Sequence, residues 1–209
     1  MRILAFVFVL AACARTAAPP AADVAQRPFP DIGGAAVMLL PVQRVTPSIS
    51  PPAASDTTRR ALGLDATALA TLESELSYWL PSHAQRARWV LPDTIVRAAT
   101  SSAALRIDAR DLPVQDFQRS RLERIGDPLY GELRRLAAVT DARLAYLPIG
   151  ALWIPELGGS GRIHVAAALI DTVGGAVLWY GVAAGEPGAP DDPAAIASAA
   201  QALARMVPR

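Results

Sequence analysis

Residues 158–162, Gly-Gly-Ser-Gly-Arg, set Ser160 between glycines, and His164 and Asp171 follow on the same segment. A hydroxyl, an imidazole and a carboxylate are the parts of an acyl-transfer triad, in which the imidazole takes the hydroxyl proton and the carboxylate orients it. The local pattern argues against that use. A nucleophile elbow, GxSxG, lies between a strand and a helix, whereas Arg162 fills the final glycine position and a strand-like stretch follows. A loop serine and a satisfied sheet histidine account for Ser160 and His164, and a periplasmic serine hydrolase built on these three residues stands as the alternative class. The other histidine, His83, follows Ser82 beside Pro81, and adjacent side chains diverge too far to pair as nucleophile and base. No HExxH, CxxC or other metal-ligand spacing is present, so neither a metal nor a cofactor is expected. Glu73, Glu75, Asp108 and Asp111 supply carboxylates, but no pair is singled out in an apolar frame as a glycosidase requires. No catalytic residue is assigned.

Cys13 carries a different chemistry. Met1-Arg2 is followed by an unbroken apolar run over residues 3–10 and then by Ala11-Ala12-Cys13, the single cysteine of the 209-residue chain. That run is shorter than the roughly 20 residues a membrane-spanning helix needs. With a positive charge before it and small residues after it, the stretch reads as a signal peptide over residues 1–12. Leu10-Ala11-Ala12-Cys13 resembles the bacterial lipobox, in which the thiol is acylated and cleavage leaves the cysteine first; a buried cysteine behind an ordinary signal is the alternative. Acyl chains contribute ~0.8 kcal/mol per buried methylene, so several of them anchor a protein, through palmitate-like tails, without inserting it. Residue 14 is Ala rather than the Asp that marks inner-membrane retention, which implies the outer membrane with the body facing the periplasm.

Composition narrows the classes further. All 20 basic residues are arginine, against 19 acids. The absence of lysine excludes Schiff-base chemistry and the GxxxxGK[ST] phosphate loop. Charge is balanced and no basic stripe runs along any segment, so nucleic acid is not an expected partner. Hydrophobic residues make up 52% of the chain, enough for a core without disulfides.

The elements that must carry these residues follow from pattern. Residues 14–31 hold four prolines and many alanines with no apolar period, which makes 13–32 a disordered tether reaching on the order of 50 Å at ~3.1 Å per residue. A single domain is expected over 33–209. Residues 35–42 read as a buried central strand. A helix begins at the N-cap Asp65, carries Leu69, Leu72 and Leu76 on one face, and ends at Pro81. Residues 89–91 suggest a short strand, and Pro92-Asp93 opens a second helix. Residues 100–126 have no clean period and are read as irregular or partly helical. Asp127-Pro128 reads as N-cap and first residue of a third helix. Residues 142–153 form a strand bent near Pro148 and Gly150. Residues 162–171 and 176–183 flank Thr-Val-Gly-Gly as a hairpin, with Asp171 capping the turn and Gly174-Gly175 free to take positive φ. Asp192-Pro193 starts a last helix. The expected architecture is a two-layer α/β domain, a mixed sheet with helices packed mainly on one face. Trp153, Trp179 and Tyr180 fall in strands and are expected in the core, or, where exposed, as an anchor patch for a partner.

Three stretches together, the lipobox, the strand containing Val37-Met38-Leu39-Leu40-Pro41-Val42 and the hairpin Leu169 to Trp179 (LIDTVGGAVLW), resemble the periplasmic domain shared in outline by the curli-secretion lipoprotein CsgG, the penicillin-binding-protein activator LpoB and the amino-terminal domain of TolB. The resemblance implies an envelope scaffold or interaction module that binds another envelope protein or itself, without catalytic residues. It also raises a ring-forming export component, although no pair of roughly ten-residue alternating segments is present to build a membrane barrel.

Overall fold

The computed structural model describes residues 28–44, 61–101, 105–118, 122–156 and 159–209. The signal peptide, Cys13, most of the tether and Gly158 lie outside them. Among the described residues a six-stranded mixed sheet, four α-helices and one short 3-10 helix at Gln115–Gln118 make up the body. The strands are β1 (Ala36–Leu39), β2 (Leu62–Gly63), β3 (Arg88–Val90), β4 (Leu144–Pro155), β5 (Gly161–Asp171) and β6 (Val177–Ala184), and the helices are α1 (Ala66–His83), α2 (Pro92–Ser101), α3 (Leu129–Thr140) and α4 (Pro193–Arg205). The open sheet runs β3-β1-β4-β5-β6, with β2 antiparallel to the far end of β4. β1 pairs in parallel with both β3 and β4, and the long β4-β5-β6 meander is antiparallel.

The α/β class and the mixed sheet agree with the pattern of the sequence; the helices, expected mainly on one face of a two-layer domain, cover both faces, α1 and α4 on one and α2 and α3 on the other. Val37, Leu39, Tyr146, Ile163, Val165 and Trp179 pack beneath α1 and α4, with Leu72, Leu76, Ile196 and Leu203 as the helical side. Met38, Leu40, Ala145, Leu147, Ala166 and Ala168 pack beneath α2 and α3, with Ile95, Leu133 and Leu136 above them. Side chains alternate across a strand, so the continuous apolar runs of β1, β4 and β5 are buried on both sides, as strands covered by helices on two faces must be.

Local chemistry sets most element ends. Asp65 accepts from the Ala68 amide at 2.8 Å to start α1, and Asp192 accepts from the Ala194 amide at 2.9 Å to start α4, each satisfying a donor with no partner inside the helix. Pro81 does not stop α1, which continues to His83 and closes with the Ala84 amide bonded to the Leu80 carbonyl at 2.9 Å. A proline in the last turn forfeits one bond, to the Ser77 carbonyl, and the turn survives that loss. At α3 the expected cap is displaced. Helical residues begin at Leu129, the Asp127–Pro128 peptide is cis, and the Asp127 carboxylate accepts from the Gly131 amide at 3.1 Å. The expected bend in β4 is a shift of register between Pro148 and Gly150, and the strand remains paired on both sides of it. In the β5-β6 turn Asp171 accepts from the Gly174 amide at 3.2 Å, and of the two glycines only Gly175 takes positive φ, at 71°.

Candidate functional site

Ser160, His164 and Asp171 are spread along one strand. At ~3.3 Å per residue, the seven steps from His164 to Asp171 span roughly 23 Å, and Ser160 precedes the opposite end of β5 from Asp171. Alternation puts His164 and Asp171 on opposite faces. The structure therefore does not bring these residues together. Ser160 gives its carbonyl to the Glu156 amide at 2.7 Å in the β4-β5 turn. His164 faces the α2/α3 side, cross-strand from Leu152 and Ala184, where burial lowers its pKa against the opposing pull of Glu156. Asp171 is occupied by its own turn. His83 lies in the last turn of α1, and Ser82 donates to the Tyr78 carbonyl at 2.7 Å. Among the described residues no three His, Cys, Asp or Glu side chains converge as a metal site would require.

What the fold does assemble is a polar groove between α1 and α2. Two adjoining recesses of about 440 Å³ each share Ser77 and Leu91. One is lined by Glu73, Ser74, Asp93, Thr94 and Arg97, the other by Pro81, Gln85, Ala87 and Trp89. Glu73 organises the polar half. Its side chain is only 14% exposed, and it accepts from the Val42 amide at 3.1 Å and from Arg110 Nη1 at 3.0 Å. Arg110 in turn points its other nitrogen at Asp93, 3.9 Å away. One carboxylate thus ties α1 to the end of β1, to the 105–118 segment and to the start of α2. Two of the groove hydroxyls have local partners: Ser77 donates to the Glu73 carbonyl at 2.7 Å, and Thr94 accepts from Arg97 at 3.5 Å. Such an arrangement suits recognition of an extended polar ligand flanked by an apolar contact at Trp89 and the exposed Leu91. It offers no proton relay.

The aromatic residues divide. Trp179 is buried as expected, while Trp153 and Tyr180 are half-buried. Trp153 donates to the Gly188 carbonyl at 2.9 Å, and its ring lies over Gly161 where a Cβ would stand. Tyr180 stacks on Phe117 with centroids 6.3 Å apart. Trp179 belongs to a second group that the sequence reading did not single out. Its ring stacks on Tyr146 at 6.2 Å and meets Phe29 at 4.9 Å, and Tyr146 meets Trp89 edge-on at 6.0 Å. Burial raises the Tyr146 pKa far above the ordinary phenol value, and among the described residues its hydroxyl has no hydrogen-bond partner. The legible signal was Phe29 itself, a large aromatic bracketed by Pro28 and Pro30 inside a stretch otherwise read as tether.

No protein-family model matches this chain, and no curated protein matches it. Among solved structures, the chain is similar to a PelC dodecamer from Paraburkholderia phytofirmans, with a TM-score of 0.44 and 13% identity over 88% of this chain and 94% of that one. A single-residue variant of that dodecamer gives a TM-score of 0.42 at 13% identity, over 87% and 94% of the two chains.

Proposed function

We propose that this protein is a lipid-anchored interaction module of the bacterial envelope. Cys13 carries the acyl chains, the proline-rich segment spaces the body from the outer membrane, and the periplasm-facing α/β domain docks a protein partner without catalysing a reaction. The observation that carries the reading is the sequence Leu10-Ala11-Ala12-Cys13 directly after an apolar run too short to span a bilayer. The resemblance of the lipobox, first strand and hairpin to CsgG, LpoB and the amino-terminal domain of TolB agrees with it. No helix among the described residues is long and apolar enough to cross a membrane, so on this reading the thiol bears the attachment. The groove between α1 and α2 is the face offered to an envelope protein, because it pairs a half-buried indole with a carboxylate and a guanidinium, and arginine and aromatic side chains dominate binding hot spots.

Metabolic labelling with radioactive palmitate tests the anchor: the wild type takes up label and Cys13→Ser does not. Mild crosslinking in cells followed by purification of the lipoprotein tests the partner. Recovery of one envelope protein by the wild type, and its loss in Trp89→Ala with Arg97→Ala, is the expected result. An unlabelled wild-type protein removes the anchor and the location together.

A further inference from the structure

The first residues described, 28–34, form no strand or helix, yet they seat an aromatic ring in the body. Phe29 is half-buried against Trp179 and Tyr146, and Ile32 is 4% exposed in the same α1/α4 core. Pro28 and Pro30 have no amide hydrogen, so neither can donate to a sheet ladder and the arm is held chiefly by its side chains. The join to β1 is a tight turn. The Gly33 amide bonds to the Asp31 carboxylate at 2.8 Å, the Ala35 amide to the Ile32 carbonyl at 3.0 Å, and Gly34 stands at φ 77°. Two consecutive glycines permit that turn, and the Arg86 carbonyl, accepting from the Gly34 amide at 2.8 Å, fixes its far side, so the part able to swing is the stretch ahead of Gly34. The arm is therefore a plug on a hinge, outside the sheet, filling a recess whose floor is Tyr146 and Trp179.

We propose that this recess is an exchange site: the Pro28-Phe29-Pro30 arm of a second copy takes the place of the chain's own, and anchored neighbours link through swapped arms. A recess that accepts Phe29 from its own chain presents the same contacts to Phe29 from another, and exchange of an identical element is a low-cost route to association. The balance is then set by concentration. The proposal rests on the lipid-anchored reading in one respect, that confinement to a membrane plane raises the effective concentration of arms. Between Cys13 and Pro28 lie 14 residues, a contour of on the order of 45 Å at ~3.1 Å per residue, which sets how far an arm can reach while its own thiol stays in the membrane.

The test uses the purified full-length chain and a synthetic peptide of residues 24–34. Phe29→Ala vacates the recess, and Phe29→Leu vacates it partly while keeping an apolar anchor should the first variant fold poorly. The peptide binds the variants at least about tenfold more tightly than the wild type, whose own arm competes for the recess. A photoreactive phenylalanine at position 29 then yields, with rising protein concentration, a crosslinked species of doubled mass joined at the Tyr146–Trp179 region. Equal or absent peptide binding by folded variants overturns the recess as a docking site. Crosslinks that stay within one chain at every concentration overturn the exchange. Peptide binding and doubled mass without palmitate labelling would retain the exchange and remove only the anchor.

Discussion

The two faces of the sheet are closed by different means. Beneath α1 and α4 the cover is regular: two helices pack side by side, and the gap at the arm end is filled by four aromatic rings, Phe29, Trp89, Tyr146 and Trp179. Beneath α2 and α3 the core is mostly aliphatic, and much of its cover is the 105–118 segment, irregular apart from the 3-10 turn Gln115–Gln118, which buries Leu105, Ile107, Leu112, Val114 and Phe117. A segment without a backbone ladder must have its polar groups satisfied from elsewhere. Gln43, 1% exposed, supplies this: its amide nitrogen donates to the Pro41 and Ala109 carbonyls at 2.7 and 3.1 Å, and its oxygen accepts from the Leu112 amide at 2.8 Å. Arg135 donates to the Leu105 carbonyl at 3.1 Å from α3. The α1/α4 face is held mainly by packing, with the Glu73 bridge to Val42 and Arg110 at its edge. The α2/α3 face needs polar struts within its core as well.

The largest effect expected from breaking that contrast is at Trp179. Trp179→Ala removes the ring that touches Phe29 and Tyr146 and covers Gly181, and it lowers stability by about 3–5 kcal/mol in urea unfolding. Hydrogen exchange should open first across α1, α4 and the arm. Next comes Gln43→Ala, which strands a buried amide and two carbonyls and lowers stability by about 2–3 kcal/mol. Here exchange should accelerate at Leu112 and its neighbours while α1 and α4 keep their protection. A uniform loss across both faces would dissolve the distinction.

Tyr146→Phe carries the opposite sign. Removing a buried hydroxyl that has no partner among the described residues relieves its desolvation, and a gain of up to about 1 kcal/mol in thermal unfolding is expected. A loss would mean that the hydroxyl is satisfied in solution.

The smallest effects are pH dependences, and both belong to the α2/α3 face. Burial lowers the His164 pKa below 6.5, so the unfolded chain binds a proton that the folded chain resists. Its contribution is present above that value and is lost as pH falls below it. For Glu132 on α3, burial raises the carboxyl pKa, Asp111 adds to the rise and Arg135 opposes it. The folded chain then holds the proton longer, and stability from this group is lost as pH climbs through the raised value. His164→Gln should flatten the slope of the urea midpoint below pH 6.5, and Glu132→Gln the opposing slope at more acidic pH.

Near-neighbour chemistry made much of this protein legible from sequence. Asp65 and Asp192 cap their helices through amides two or three residues away, the leucines of α1 recur at helical spacing, and Asp171 closes a hairpin turn within four residues. Each of these contacts is formed inside one short segment, so the pattern contains the answer. The residues of β5 are apolar on both sides, Val165 and Leu169 on one and Ala166 and Ala168 on the other, which is compatible with two-sided cover, but which helix lies on which face is not written in any of them. Tertiary structure alone decided that Phe29 meets Trp179, that Gln43 braces Ala109 and Leu112, that Glu73 receives Arg110, and that Ser160, His164 and Asp171 stay apart. Those outcomes depend on chain-distant side chains meeting, or failing to meet, once strands and helices have been stacked. A linear period records the face of an element, not its neighbour.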